Sequence, residues 1–151
     1  MNAPTPDDDV RTVASALERL ASLALAAATS LTAGGERIDE HQVIVEKVAS
    51  AATDARVARS LVTALAAHPG ADAAFVAPAR VAIADLARSA RERLDPIAAE
   101  LGLPDPVYDA AERAALARLG REDAVRAIGQ AVARTASDRK STRLNSSHSL
   151  P

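Results

Sequence analysis

Few residues in this chain have the types and spacing that chemistry requires. The histidines ahead of residue 138 are His41 and His68, and neither stands in Glu-x-x-His or His-x-x-x-His spacing. A carboxylate-bridged di-metal bundle and a zinc-protease helix therefore lack their ligands. With no cysteine, thiolate metal sites and disulfides are excluded as well. No metal site is expected. Gly34-Gly35 follows a helical pattern rather than a strand and lacks the lysine of a phosphate loop. No serine sits in a G-x-S-x-G elbow. Carboxylates cluster at Glu36, Asp39 and Glu40 and again at Glu122 and Asp123. Both clusters lie where helices begin, where the dipole favours acids, so charge compensation accounts for them ahead of general acid catalysis. Lys47, Arg56 and Arg59 form a basic stripe. Such a stripe usually marks a solvated face and less often contact with a partner or a membrane surface.

The element that must position most of these groups runs from Asp39 to His68. Asp39 can cap its start, Gln42 can reach back to the Asp39 backbone N–H, and Ile38 with Val43 can form a hydrophobic staple. Pro69-Gly70 ends it, with proline stopping the ladder and glycine taking a left-handed turn. About thirty residues at 1.5 Å each make a rod of roughly 43 Å. Ile44, Val48, Ala52, Ala55, Ala58, Val62 and Leu65 share its apolar stripe.

The other elements read as cover for that stripe. Thr5 caps and Pro6 opens a first helix whose early turn holds Asp7, Asp8 and Asp9, and which runs to about Thr32 before Gly34-Gly35. Its seam is Val10, Val13, Leu17, Leu20, Ala24, Ala27 and Leu31. A third helix covers about Val76 to Leu94, with Pro78 either in its first turn or at a kink. Asp95-Pro96 kinks it further or caps a turn ending at Leu101-Gly102. Asp105 and Pro106 repeat the cap-plus-proline start, which gives a fourth helix over Val107 to Leu119. A fifth, about Glu122 to Thr135, places Val125, Ile128 and Val132 on one face. The fold class expected is all-α: an up-down antiparallel bundle of four to five helices over residues 1–137.

Composition agrees. Of 151 residues, 48% are hydrophobic, but alanine supplies about a quarter of the chain, and Phe75 and Tyr108 are its only aromatics. A core built that way is thin, with helices close together. The formal charge of −2 argues against general nucleic-acid binding. No run reads as a membrane span, and the acidic N-terminus lacks the apolar stretch of a signal peptide, so a cytoplasmic protein, at most membrane-peripheral, is expected. From Asp138 the composition changes to Ser, Thr, Asn and Lys without apolar period. Residues 138–148 resemble a translated sequencing adaptor. Residues 138–151 are therefore expected to be a disordered, artefactual tail.

From Ser15 to Val62, SALERLASLALAAATSLTAGGERIDEHQVIVEKVASAATDARVARSLV, the chain resembles the C-terminal helical region of acyl-CoA dehydrogenases. The words that carry the likeness are Gly35-x-x-Ile38-x-Glu40-His41-Gln42 and the alanine-rich helix after them. AVRAIGQAVA, Ala124 to Ala133, is similar to part of the additional C-terminal region of the very-long-chain branch. The resemblance implies a segment of a flavoprotein that performs FAD-dependent α,β-dehydrogenation of fatty acyl-CoA. Its partners would be the catalytic domains of that parent enzyme or a second copy of itself. It further implies Gln42 as a flavin-contacting residue across a subunit interface. No catalytic residue carries over, since the motif for the family's catalytic glutamate is not recognisable. The alternative is a free-standing, non-enzymatic helical interaction module.

Overall fold

The computed structural model describes residues 4–146, with side chains described through residue 135. Five α-helices follow one another: α1 Pro6–Leu31, α2 Gln42–Ala67, α3 Ala73–Leu94, α4 Ala110–Leu119 and α5 Glu122–Ser146. The described residues contain no strand. The fold is the all-α helical bundle expected from the periodicity.

Helix α1 begins as its sequence requires. The Thr5 hydroxyl accepts from the Asp8 backbone N–H at 3.2 Å, and the Asp8 carboxylate accepts from the Thr5 backbone N–H at 3.0 Å. Both halves of a capping box are present, with Pro6 behind them. At its other end Ala33, Gly34 and Gly35 all take positive φ, at 50°, 72° and 109°. Glycine makes the two larger values accessible, and Ala33 holds the first at about 1 kcal/mol. The chain reverses there and enters α2.

The start of α2 departs from expectation. Ile38–Glu40 form a single 3-10 turn, and the residue preceding the helix is His41, whose side chain makes no capping bond. Asp39 therefore lies inside the preceding turn rather than at the cap. The Arg37 guanidinium binds Glu40 at 2.5 and 2.9 Å across that turn, which favours the tighter winding. Ile38 and Val43 are both exposed, so no staple forms. At the far end His68 terminates the helix before a Pro69-Gly70 turn, but Gly70 does not adopt positive φ. The rod is 26 residues, about 39 Å.

Helix α3 starts three residues earlier than its clearest periodicity, because the Asp72 carboxylate accepts from the Ala74 N–H at 3.0 Å. Pro78 lies within the helix rather than at its start. Helix α4 starts later than expected. Its cap is Asp109, not Asp105: the Asp109 carboxylate accepts from the Glu112 N–H, and Glu112 accepts from the Asp109 N–H, both at 2.8 Å. Helix α5 runs to Ser146, past its expected end near Thr135. Residues 147–151 of the expected tail lie outside the described residues.

Helix α1 packs on α2, α3 and α4, and α3 also meets α2, α4 and α5. Leu17, Leu20, Ile83 and Leu94 are the largest of the fully buried side chains, each contributing about 1.5–3 kcal/mol. Between them Ala24, Ala51, Ala58, Ala84 and Ala90 expose no surface, which lets the axes approach. The α2 stripe is rotated slightly from the expected one: Ala51 is buried where Ala52 is half-buried.

Candidate functional site

Gln42, the residue singled out by the dehydrogenase likeness, opens α2 and is exposed. Its side-chain amide donates to the Asp39 carboxylate at 3.2 Å, a bond between side chains that leaves the Asp39 backbone N–H uncapped. An apolar groove of about 210 Å³ runs beside it between the end of α1 and the start of α2. Leu25, Ile38, Val45 and Ala49 line it, and Gly34 with Gly35 form its end. Gln42 is not among the lining residues. The turn thus carries a polar amide on its surface and an apolar trough alongside, with no charged side chain lining the trough.

The remaining candidates are drawn apart. His41 precedes α2 with its Nε2 buried and, among the described residues, without a hydrogen-bond partner, and His68 follows α2 in the open. No group of three metal-ligating side chains comes together among the described residues. The acidic clusters are taken up locally: Arg37 binds Glu40, Arg121 binds Asp123 at 3.1 Å, and Arg126 binds Glu122 at 2.5 Å. The Arg37 and Arg121 guanidinia each hold their partner carboxyl below its usual range. The basic stripe is also partly consumed, because Arg59 binds Glu18 of α1 with both arms, at 2.5 and 3.1 Å.

Ion pairs whose two ends lie far apart in sequence set the geometry of the bundle. Arg19 of α1 grips the Glu112 carboxylate of α4 at 2.6 and 2.9 Å. That bond holds the Glu112 carboxyl below the usual carboxylate range. Glu112 closes the α4 cap at the same time, so one carboxylate fixes both where α4 starts and which face of α1 it meets. Arg118 does the same one end further on, binding Asp9 at 2.7 and 2.8 Å. Arg93 of α3 bonds to Asp54 of α2. Tyr108 lies 2% exposed beneath this frame, its hydroxyl donating to the Ala87 carbonyl at 2.9 Å. Burial pushes its phenol well above the ordinary value. The sequence holds one sign of this role, a lone tyrosine in a proline-rich break, and no sign of the pairings.

The surface of α5 differs from the others. Val125 is 47% and Val132 63% exposed, with Ile128 half-buried between them. Helices α1 to α4 each bury an apolar side, whereas the corresponding stripe of α5 is mostly uncovered. No helix among the described residues is long and apolar enough to cross a membrane. No protein-family profile matches the chain, and no curated protein or solved structure is significantly similar to it.

Proposed function

We propose that this chain is a non-catalytic helical docking module, in which α1 to α4 form a self-supporting frame and α5 presents an apolar stripe to a second protein surface. The observation that carries the reading is the exposure of Val125 and Val132 on a helix that begins directly after a well-packed one. The polar side chains next to Gln42 are tied to one another, Gln42 to Asp39 and Arg37 to Glu40, and the trough beside them has no charged lining, which fits a packing role better than a chemical one. The likeness of Ser15 to Val62 and Ala124 to Ala133 to the C-terminal part of acyl-CoA dehydrogenases suggests the partner: the catalytic domains of an FAD-dependent enzyme acting on fatty acyl-CoA. In that setting the chain contributes subunit packing, and the flavin belongs to its partner. We place the protein in the cytoplasm. Membrane-surface docking through the basic stripe is the weaker reading, because Arg59 is already engaged by Glu18.

The test has two steps. The DNA upstream of Met1 is sequenced, and any dehydrogenase frame found there is co-expressed with this chain. Co-purification that is lost in Val125→Asp/Val132→Asp supports the docking reading. A locus without a dehydrogenase frame removes the flavoprotein partner. The second reading, a free-standing module that pairs with its own copy, is then tested by light scattering of the purified chain: a concentration-dependent dimer, abolished by the same two substitutions, supports it. A chain that is monomeric throughout and captures nothing through α5 overturns both.

A further inference from the structure

A separate cleft lies where the last turn of α3, the 95–109 connection and the first turn of α4 meet. It encloses about 360 Å³, within the range of small-molecule sites. Val107 and Tyr108, 5% and 2% exposed, form its floor, and Leu103, Pro104 and Pro106 its apolar wall. Two guanidinia line it, Arg91 from α3 and Arg113 from α4.

Those two arginines are left with donors to spare. Arg19, Arg37 and Arg118 each hold a carboxylate with two donors, the shorter bond at 2.5 to 2.7 Å, and Arg80 holds Asp7 with one while its buried Nε, among the described residues, is without a hydrogen-bond partner. Among the described residues Arg113 has no carboxylate within ion-pair distance, and its Nη1 donates to the Tyr108 carbonyl at 2.5 Å. Arg91 faces Asp95 across 3.6 Å, too far for a hydrogen bond, and among the described residues its buried Nε has no hydrogen-bond partner. A guanidinium carries five donors in a planar fork that matches a carboxylate. A buried N–H without an acceptor is costly, and a ligand oxygen relieves it. Asp95 and Asp105 also line the cleft. They offset the two positive charges, so the cleft has no net attraction for a multiply charged anion, and recognition rests on the guanidinium hydrogen bonds and the apolar wall.

We propose that this cleft binds a small monocarboxylate with a compact apolar body, its carboxylate held by Arg91 and Arg113 and its body resting on Leu103, Pro104 and Tyr108. The Arg113 to Tyr108 bond pre-orders the fork, and the proline-rich wall stiffens the pocket before binding. The site is independent of whatever docks on α5.

The experiment is a titration of the full chain with 3-phenylpropionate, followed by amide nitrogen–proton correlation spectra, with inorganic phosphate as the second probe. The expected result is saturable shifts confined to residues around Ala98, Leu103, Tyr108 and Arg113, with little response to phosphate. Arg91→Gln and Arg113→Lys should each weaken 3-phenylpropionate by about tenfold. Arg113→Lys keeps the charge and loses the fork, so it separates recognition from folding. Arg56→Ala, on the exposed side of α2, should bind like the parent. Shifts that fail to saturate, that spread over the surface, that phosphate reproduces, or that both cleft variants leave unchanged overturn the proposal.

Discussion

Arg118 binds Asp9 with both arms of its guanidinium, Nε to Oδ2 at 2.8 Å and Nη2 to Oδ1 at 2.7 Å, across 109 positions of sequence. Asp9 is 4% exposed, whereas the Arg118 side chain is about half in water. The two partners are therefore unequal. Losing Asp9 leaves a guanidinium that water can solvate; losing Arg118 leaves a buried carboxylate without its counter-charge. Arg118→Leu, which keeps the apolar stem, should lower the melting temperature more than Asp9→Asn does. Thermal melts by circular dichroism check this, and the reverse order would show that Asp9 finds another partner.

Acid should loosen α4 through Glu112. Its carboxyl is held below the ordinary value of 4.5, first by the Arg19 bond and then by the Asp109 N–H, against the opposing effect of burial. The folded state thus binds this proton more weakly than the unfolded state. The resulting stability is present above pH 4.5 and is lost as pH falls through the lower folded value. Glu112→Gln should flatten that part of the stability–pH curve, and at pH 7 it should cost about 1.5–3 kcal/mol. Urea melts from pH 3 to pH 7 give the comparison; parallel curves would mean that the ion pair contributes nothing.

Caps give a paired comparison. Asp109→Ala should cost about 0.5–2 kcal/mol, because Asp109 satisfies the Glu112 N–H at the start of α4. Asp39→Ala should stay within about 0.5 kcal/mol of the parent, because Asp39 caps nothing and only receives the exposed Gln42 amide. Chemical denaturation of the two variants decides it, and equal losses would restore the capping box at Asp39.

Those same residues show how far the sequence can be read. Thr5, Pro6 and Asp8 form a local start signal with no competitor, and α1 begins there. Asp39 and Gln42 have the same spacing, but Arg37 and Glu40 close a tighter turn first, and the reciprocal cap is lost. At α4 two start signals overlap, Asp105-Pro106 and Asp109-x-x-Glu112. The second prevails, with Tyr108 buried under α3 immediately before it and Glu112 tied to Arg19. Periodicity locates Val13, Leu17, Leu20 and Ile83 in the core, since one helix face suffices for that. It carries no information about which charged residue across the bundle will meet Asp9 or Glu112, so the cleft at Arg91 and Arg113 is visible only once α3 and α4 are placed. The stripe of Val125, Ile128 and Val132 is legible; that it faces outward is not, because pattern alone does not say how many neighbours a helix has.

Tyr108 offers a spectroscopic probe, since the chain has one tyrosine and no tryptophan. Burial keeps its phenol protonated above the ordinary value near pH 10. Stability linked to this proton is complete below that pH and is lost as pH rises toward the folded value. Tyrosinate absorbance should therefore appear together with alkaline unfolding rather than ahead of it. Tyr108→Phe, which removes the bond to the Ala87 carbonyl, should cost about 0.5–1.5 kcal/mol. Ionisation near pH 10 in a still-folded chain would mean that the ring is solvated.

The docking role requires α5 to lie outside the core, and the most direct measurement is the folding stability of Val125→Asp/Val132→Asp by reversible denaturation. If the stripe faces water in the free chain, helicity is retained and each substitution changes stability by no more than about 0.5 kcal/mol. A loss of several kcal/mol, or collapse of the cooperative transition, would show that the stripe is part of the core and contradict the docking role.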